Sequence, residues 1–302
     1  MDGFINVLKP PGMSSHDVVG RLRRILQTKK IGHAGTLDPG AAGVLPVAVG
    51  RATRLIEYLE ATDKSYRAEV LFGLRTDTDD DTGNILETRT FTMPAEEMIE
   101  SALEAFRGTI RQRPPICSAI KVDGTRAYTH AREGSRIELP LREIVIHRLT
   151  LLERRADALL LDVTCSKGTY IRSLCRDLGE ALGTPATMGF LLRTRVGDFS
   201  VDTAYTLEEL ETVGSDAILA PELYLTHLVR YDLPTHRLQA FYNGLSTTVK
   251  GTESLHGPLA VYSEGVFVGI GICDGETCEL KAKKVYRMIA HGNGKSDVFE
   301  RE

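Results

Sequence analysis

One short loop constrains this chain more than any other stretch. Residues 32–43 read GHAGTLDPGAAG and place a single carboxylate, Asp38, on a glycine-framed turn. Pro39 disfavours the helical region for Asp38, and Pro39-Gly40 suits the centre of a type II turn, whose second central position needs a positive φ. The turn by itself allows two interpretations. Asp38 either hydrogen-bonds its own backbone, as turn aspartates often do, or is presented for chemistry.

Composition describes an ordinary globular protein. The chain has 302 residues, 42% hydrophobic and 26% charged, which is enough for two domains. The first residues show no signal-peptide pattern, and the longest apolar run, near residues 41–49, is too short to span a bilayer. The five cysteines form no Cys-x-x-Cys pair and the eight histidines form no ligand motif. We therefore expect a cytoplasmic protein without a disulfide framework, a metal site or a membrane partner.

Charge is segregated along the chain, although the net charge is only −4. Basic side chains cluster in residues 21–30, in residues 107–136, and around Arg172. Acidic ones gather elsewhere, in residues 77–81 and 208–222. One basic stretch is equally typical of a solvated helix face. Three of them flanking a candidate carboxylate favour a polyanion-binding face, and therefore RNA or DNA.

Hydrophobic periodicity predicts an α+β protein with a mixed, largely antiparallel sheet flanked by helices. Ser14 and Asp17 form a capping box that starts a helix. Other predicted helices are 51–61, 94–107 and 170–182, and predicted strands are 44–49, 65–73, 142–153, 158–165 and 188–201. After about residue 224, short apolar stretches alternate with glycine-rich turns, which predicts a small β-barrel over 230–290. Residues 291–302 are polar and are expected to fray.

Several motifs follow one another along the first two hundred residues. They read KPPGMSSH from residue 9, GHAGTLDP from 32, DKSY from 63, RTDTD from 75, RPPICSAIKVDG from 113, CSKGTYIR from 165 and LLRTRVG from 191. In this order and spacing they closely resemble the TruB family, the bacterial tRNA pseudouridine-55 synthases, over residues 3–200. The segment 230–289 resembles the PUA-type RNA-binding domain that often ends such proteins.

The resemblance implies a fold and a reaction. A pseudouridine-synthase-type catalytic domain would occupy residues 1–225, with an RNA-clamping insertion at about 108–140, followed by a PUA-like β-barrel. The reaction would isomerise a uridine of the tRNA T-loop, breaking the N1–C1′ bond and joining C5 to C1′. The base must first flip into a pocket, at a cost of about a few kcal/mol.

The resemblance also implies three catalytic residues. Asp38 is similar to the family's essential aspartate, and the sequence leaves open whether it is a nucleophile at C1′ or a base at C2′. Tyr66 is similar to the tyrosine that stacks on the target base and takes the proton from C5; without its motif it would read as a core aromatic. Arg172 is similar to the arginine that pairs with the aspartate, and a guanidinium offsets the cost of a carboxylate in a closed pocket.

A larger set of residues is expected to bind substrate. His33 resembles the histidine that holds the flipped nucleotides, with an ordinary loop histidine as the alternative. Tyr170 and Leu191 resemble the residues that wall the uracil, although either also suits a plain core. The complete set is His33, Gly35, Thr36, Tyr170, Leu191, Lys9, Lys64, Lys121, Lys167 and Arg193. Many relatives have Leu-Arg-Arg-Thr where residues 191–194 read Leu-Leu-Arg-Thr, which we expect to weaken one phosphate contact.

Two other functions remain open. A guide-RNA-dependent synthase subunit would use the same core with protein partners, but the short tail and bacterial-type insertion favour a stand-alone enzyme. A tRNA-folding chaperone would bind RNA without chemistry. A nucleotide-phosphate loop is disfavoured, since no glycine-rich phosphate motif follows a strand. We expect tRNA, through its T-arm, as the partner of a monomer that needs no cofactor and no obligatory protein partner.

Overall fold

The computed structural model describes residues 2–117, 121–122, 125–126, 139–249 and 255–287. The chain separates into two compact units, and the boundary falls after Tyr224. Most of the expected RNA-clamping insertion, including residues 118–120, lies outside the described residues, as do the side chain of Lys121 and the expected tail 291–302. No helix in the described ranges is long and apolar enough to cross a membrane.

A nine-stranded mixed sheet organises the first unit. The strands of this unit are β1 (Gly3–Lys9), β2 (Ile31–His33), β3 (Ala42–Val49), β4 (Lys64–Phe72), β5 (Leu74–Thr76), β6 (Ile85–Thr88), β7 (Gly108–Gln112), β8 (Lys121–Val122), β9 (Thr125–Arg126), β10 (Arg142–Arg154), β11 (Ala158–Cys165), β12 (Ala186–Val196) and β13 (Phe199–Ser200). The main sheet has the order β1-β3-β12-β4-β11-β10-β7, with β2 on β3 and β13 on β12. Within this sheet β3 and β12 run parallel and the other neighbours run antiparallel, so the expected largely antiparallel sheet is confirmed.

Helices cover this sheet and connect its strands. They are α1 (Ser15–Ile25), α2 (Ile56–Glu60), α3 (Glu96–Glu104), α4 (Ile171–Ala181) and α5 (Leu207–Val213). The capping box predicted for α1 is present: the Asp17 N–H donates to the Ser14 hydroxyl, and the Asp17 carboxylate accepts from the Ser14 N–H. The helix predicted at 51–61 begins instead as a 3-10 helix over Gly50–Leu55. A second capping box, which the sequence reading missed, starts α5 at Thr206.

Two apolar clusters hold the unit together. On β4 the alternating Tyr66, Ala68, Val70 and Phe72 are buried, as predicted, and they belong to the cluster that α3 and α4 complete. The second cluster packs α1 and α5 against β1, β2 and β3. Burial of these faces is the main favourable term in folding, and it makes the sheet a rigid support for the loops at its edges.

The backbone around Asp38 differs from the prediction. The Ala41 N–H donates to the Asp38 carbonyl at 3.1 Å, so the turn forms, but Gly40 has no positive φ and the predicted type II turn is wrong. The glycines of residues 32–43 that have a positive φ are Gly35, at +82°, and Gly43, at +117°, where β3 passes β12. A Cβ on Gly43 would lie 2.2 Å from the Arg193 carbonyl oxygen. Glycine is therefore required here for close approach of two backbones.

Strand β12 is shorter than predicted at its carboxyl end. The sequence pattern runs to residue 201, but the strand ends at Val196, because Gly197 adopts a φ of +51° and turns the chain back into β13.

The second unit is a small β domain. It contains β14 (Val229–Asp232), α6 (Thr235–Tyr242), β15 (Thr247–Thr248), β16 (Gly257–Ser263), β17 (Val266–Asp274) and β18 (Glu279–Val285). The sheet order is β14-β16-β17-β18-β15 around a core that includes Phe241, Val261 and Leu280. The sheet curls into a half-barrel of the PUA-like kind, and the predicted fold class is confirmed.

Candidate active site

A cavity of about 540 Å³ lies where the Asp38 loop, β4, β12 and the start of α4 meet. Most of the predicted site residues line it, although they are scattered over 159 positions of sequence from Gly35 to Arg193. They are Gly35, Thr36, Asp38, Lys64, Tyr66, Lys167, Tyr170, Arg172, Leu191 and Arg193. The long-range pairing of β3, β4 and β12 brings these motifs to one place.

An ion pair joins the predicted carboxylate and the predicted arginine. Arg172 Nη2 lies 3.0 Å from Asp38 Oδ2. The Arg172 side chain is only 8% exposed, whereas that of Asp38 is 42% exposed and faces the cavity. The guanidinium also donates to the carbonyls of Thr78, at 3.0 Å, and Cys117, at 2.9 Å. The arginine is therefore held by backbone acceptors, and Asp38 meets a cation whose position is already set.

A second carboxylate lies near the other terminal nitrogen of the Arg172 guanidinium. Asp80 Oδ2 lies 3.6 Å from Arg172 Nη1. Asp80 Oδ1 accepts hydrogen bonds from the Thr78 hydroxyl at 2.7 Å and from the Thr82 hydroxyl at 2.6 Å, so it is fixed in turn. The sequence analysis counted residues 77–81 as an acidic stretch apart from the basic clusters and gave Asp80 no role, yet Asp80 lies beside Arg172. The available signal was the adjoining RTDTD motif, which had no assigned role.

Tyr66 forms part of the cavity wall from β4. Its ring is 9% exposed and sits on the buried face of the strand. In the antiparallel register Tyr66 pairs with Arg193 of β12, whose guanidinium faces the phenol oxygen. Burial raises the pKa of Tyr66, with the Arg193 charge opposing the shift. The phenol is therefore neutral at physiological pH.

Arg193, which we expected to bind substrate, is buried. It is 2% exposed and donates to the carbonyls of Val44 at 2.8 Å, Gly35 at 3.1 Å and Thr36 at 3.4 Å. Burial lowers the pKa of Arg193, but an arginine remains charged over the physiological range. Its donors thus bind the chain that leads to Asp38.

The two predicted lysines near the loop also bind backbone. Lys9 is fully buried and its Nζ donates to the carbonyls of Pro10, Pro39 and Ala41 at 2.8, 3.2 and 2.6 Å, so it lies beneath the Asp38 turn and not in the cavity lining. Lys64 Nζ donates to the carbonyls of Glu60, at 2.7 Å, and Thr62, at 2.6 Å. Burial lowers the pKa of each lysine to about 8.

The remaining predicted residues differ in their surroundings. Lys167 is exposed at the cavity rim, and Leu191 is buried in its wall. Tyr170 precedes α4, and its backbone exchanges two hydrogen bonds with the side chain of Gln112, at 2.8 and 3.0 Å. Gln112 is only 2% exposed, and the sequence reading missed it because no local pattern marks a glutamine of this kind.

His33 lies on β2, outside the residues that line the cavity. Its Nδ1 is buried and has no hydrogen-bond partner among the described residues. Burial lowers the pKa of His33, and the nearby Arg193 charge adds to the shift. A neutral imidazole with a free nitrogen can still bind a ligand that reaches it, so its role in substrate binding stays a prediction.

Taken together, the cavity offers a half-exposed carboxylate beside a fixed guanidinium, a neutral aromatic ring and an apolar wall. This set suits a planar ring held against Tyr66 and Leu191, with a polar group next to Asp38. In the described ranges, no three His, Cys, Asp or Glu side chains converge in a way that could hold a metal ion.

Comparison with known proteins gives consistent results. Residues 23–171 match the model of the TruB family pseudouridylate synthase N-terminal domain, and residues 172–230 match that of the tRNA pseudouridylate synthase B C-terminal domain. The chain is 46% identical over 286 residues to tRNA pseudouridine synthase B of Moorella thermoacetica, covering 92% of each chain. It is 42% identical to the same enzyme of Alkaliphilus oremlandii, covering 96% of this chain and 99% of the relative.

Solved structures show the same architecture. A chain from the crystal structure of a Cbf5-Nop10-Gar1 complex is 30% identical, with a TM-score of 0.73, covering 94% of this chain and 84% of the other. A chain from an H/ACA RNP bound to a substrate RNA containing 2′-deoxyuridine is 27% identical, with a TM-score of 0.71, covering 95% of this chain and 85% of the other.

Proposed function

Because the chain belongs to the TruB family of pseudouridylate synthases, we propose that it isomerises uridine 55 of the tRNA T-loop to pseudouridine without a cofactor. The observation that carries the proposal is the 3.0 Å Asp38–Arg172 pair at a cavity walled by Tyr66 and Leu191. The reaction conserves atoms, since N1 separates from C1′, C5 joins C1′, the C5 proton leaves and N1 gains a proton.

Asp38 supplies the reacting carboxylate. Its Oδ2 faces Arg172, while the described residues provide no hydrogen-bond donor to Oδ1. That oxygen is free to attack C1′ or to take a proton from C2′, and the geometry is compatible with both. Arg172 orients the carboxylate after the flipped nucleotide has displaced water from the cavity.

Tyr66 supplies a stacking surface for the flipped uracil. Because burial raises the pKa of its phenol, the neutral hydroxyl is a weak base at physiological pH. We therefore propose that Tyr66 stacks on the uracil, and that removal of the C5 proton by Tyr66 would need the phenol to lose its own proton first. Lys167 at the rim is placed to meet the phosphate backbone, and His33 would hold a neighbouring flipped nucleotide.

The relatives support a stand-alone enzyme. The bacterial synthases are 42–46% identical and match almost end to end, whereas the proteins from Cbf5 and H/ACA complexes are 27–30% identical. We therefore place this chain with the former, as a cytoplasmic monomer without an obligatory protein partner. Its second unit, over residues 230–290, would be an RNA-binding PUA-like domain.

The decisive experiment follows tritium release from a tRNA transcript labelled at uridine C5. The wild-type protein should release tritium, and Asp38→Asn should not, while both bind tRNA equally. Asp216→Asn is the matched control, because Asp216 is exposed in a short 3-10 helix and makes no contact with the cavity. If the wild-type protein bound tRNA without releasing tritium, the proposal would be contradicted, and the alternative function of a tRNA-folding chaperone would be favoured.

A further inference from the structure

We propose that Arg193 is a positioning residue for this reaction: its buried guanidinium fixes the position of the Asp38 loop relative to Tyr66. The inference rests on the proposed isomerisation, because it concerns the two groups that would act on the ribose and the base. It differs from the expectation that Arg193 binds RNA, because the hydrogen bonds that its guanidinium makes to described residues all go to backbone carbonyls.

The first step is the contact with the loop. Arg193 donates to Gly35 and Thr36, which come three and two residues before Asp38, and to Val44 in β3 on the far side. One side chain therefore spans the segment that carries Asp38 and ties both of its ends to β12. Lys9 binds Pro39 and Ala41 from below. The loop between β2 and β3 is thus held by its carbonyl groups.

The second step is the contact with the aromatic wall. Arg193 lies opposite Tyr66 in the register of β12 and β4, so the two side chains are on the same face of the sheet, and the Arg193 charge opposes the rise in the pKa of the phenol. Guanidinium donors diverge in a fixed plane, so acceptors bound to one guanidinium also have a fixed geometry relative to each other. A lysine in its place is a single point of charge and cannot reproduce that arrangement.

The third step concerns charge. Within the described residues, no carboxylate lies within ion-pairing distance of Arg193, although it is 2% exposed. The neighbouring charges are themselves basic, namely Lys9 and Lys64. Burying a cation without a carboxylate partner costs free energy of folding, and an apolar side chain at this position would not have that cost. Three hydrogen bonds to carbonyls of the Asp38 loop and β3 offset this cost, and an apolar side chain could not make them.

The experiment compares Arg193→Met and Arg193→Lys with Arg195→Met. Arg195 is the matched control, because it lies on the same strand two residues further on, is exposed and does not line the cavity. Single-turnover tritium release, tRNA affinity and backbone amide exchange are measured for each. We expect Arg193→Met to slow release about 100-fold, as for a reacting group displaced by about 1 Å, with tRNA affinity unchanged.

Amide exchange provides a readout that does not depend on activity. In Arg193→Met, faster exchange should be confined to residues 34–44, and Arg193→Lys should give an intermediate rate and intermediate exchange. Arg195→Met should match the wild type in both. Faster exchange throughout β3, β4 and β12, with release falling only as the folded fraction falls, would show a merely structural arginine and overturn the inference.

The two proposals fail in different ways. Loss of tRNA affinity in Arg193→Met, in proportion to the loss of rate, would make Arg193 a binding residue and overturn the positioning role. Absence of release by the wild type contradicts the synthase function itself, and exchange in residues 34–44 then decides separately whether Arg193 holds the loop.

Discussion

Arg172 approaches Asp38 to 3.0 Å, yet its guanidinium is fixed mainly by groups other than Asp38. The guanidinium donates to the backbone carbonyls of Thr78 and Cys117, and the carboxylate of Asp80 lies 3.6 Å away. The aspartate is therefore the more exposed member of the pair, and the arginine is its preorganised partner. Preorganised charge of this kind costs no rearrangement at the moment of reaction.

We predict that Arg172→Lys lowers the single-turnover rate by about 100-fold or more, the usual cost of removing a preorganised donor. A lysine cannot reach Asp38 and both carbonyls together, so the carboxylate loses its orientation. Rate and tRNA affinity should be measured in parallel. Arg89→Lys, at a largely exposed site, is the control and should keep the wild-type rate. A wild-type rate in Arg172→Lys would contradict this view of the pair.

Tyr66→Leu should reduce turnover far more than tRNA affinity. The substitution removes an aromatic face in the cavity but leaves the exposed basic side chains, which we expect to contact phosphates. Tritium release and tRNA binding at several salt concentrations measure the two effects, and binding should weaken steeply with salt for both proteins. Equal losses of turnover and affinity would make Tyr66 a binding or structural residue, and a flat salt response would argue against an RNA-binding face.

Lys64 should make the free energy of unfolding depend on pH in the alkaline range. Its pKa in the folded protein is about 8, against an ordinary value of 10.5, because burial disfavours the charged amine. Between these two values the unfolded chain holds more protons, so the free energy of unfolding should increase as pH rises from about 8 to 10.5, by up to about 3 kcal/mol. Urea unfolding of Lys64→Met should show a smaller rise, and an unchanged rise would contradict the lowered pKa.

Two glycines should respond oppositely to alanine. Gly43→Ala places a Cβ 2.2 Å from the Arg193 carbonyl oxygen at a φ of +117°, and should cost at least about 2 kcal/mol of unfolding free energy. Gly20→Ala lies inside α1 with no atom within 4 Å of the new Cβ, and should stabilise by about 0.5–1 kcal/mol. Equal effects in urea unfolding would show that the close approach of β3 and β12 is not required.

Local signals were sufficient for much of the fold. The capping box at Ser14, the alternation along β4 and the strand pair β10 and β11 are patterns of adjacent residues, and the structure has them as predicted. The turn at Pro39 was predicted as the wrong type because a dipeptide preference does not report how β3 is drawn against β12. The close contact of β3 with β12 requires a positive φ at Gly43, which the local sequence did not indicate.

The sequence by itself predicted most of the residues that line the cavity and the family to which the chain belongs, because motif order and spacing can be read without coordinates. Only the tertiary structure decided what each side chain does there. We expected three basic residues to bind substrate, and in the structure they are buried and donate to backbone carbonyls: Lys9, Lys64 and Arg193. Asp80 had no assigned role, and its carboxylate lies 3.6 Å from the Arg172 guanidinium. The reason is physical: whether a charge meets solvent, a ligand or a carbonyl depends on strands far apart in sequence, and no local pattern encodes that choice.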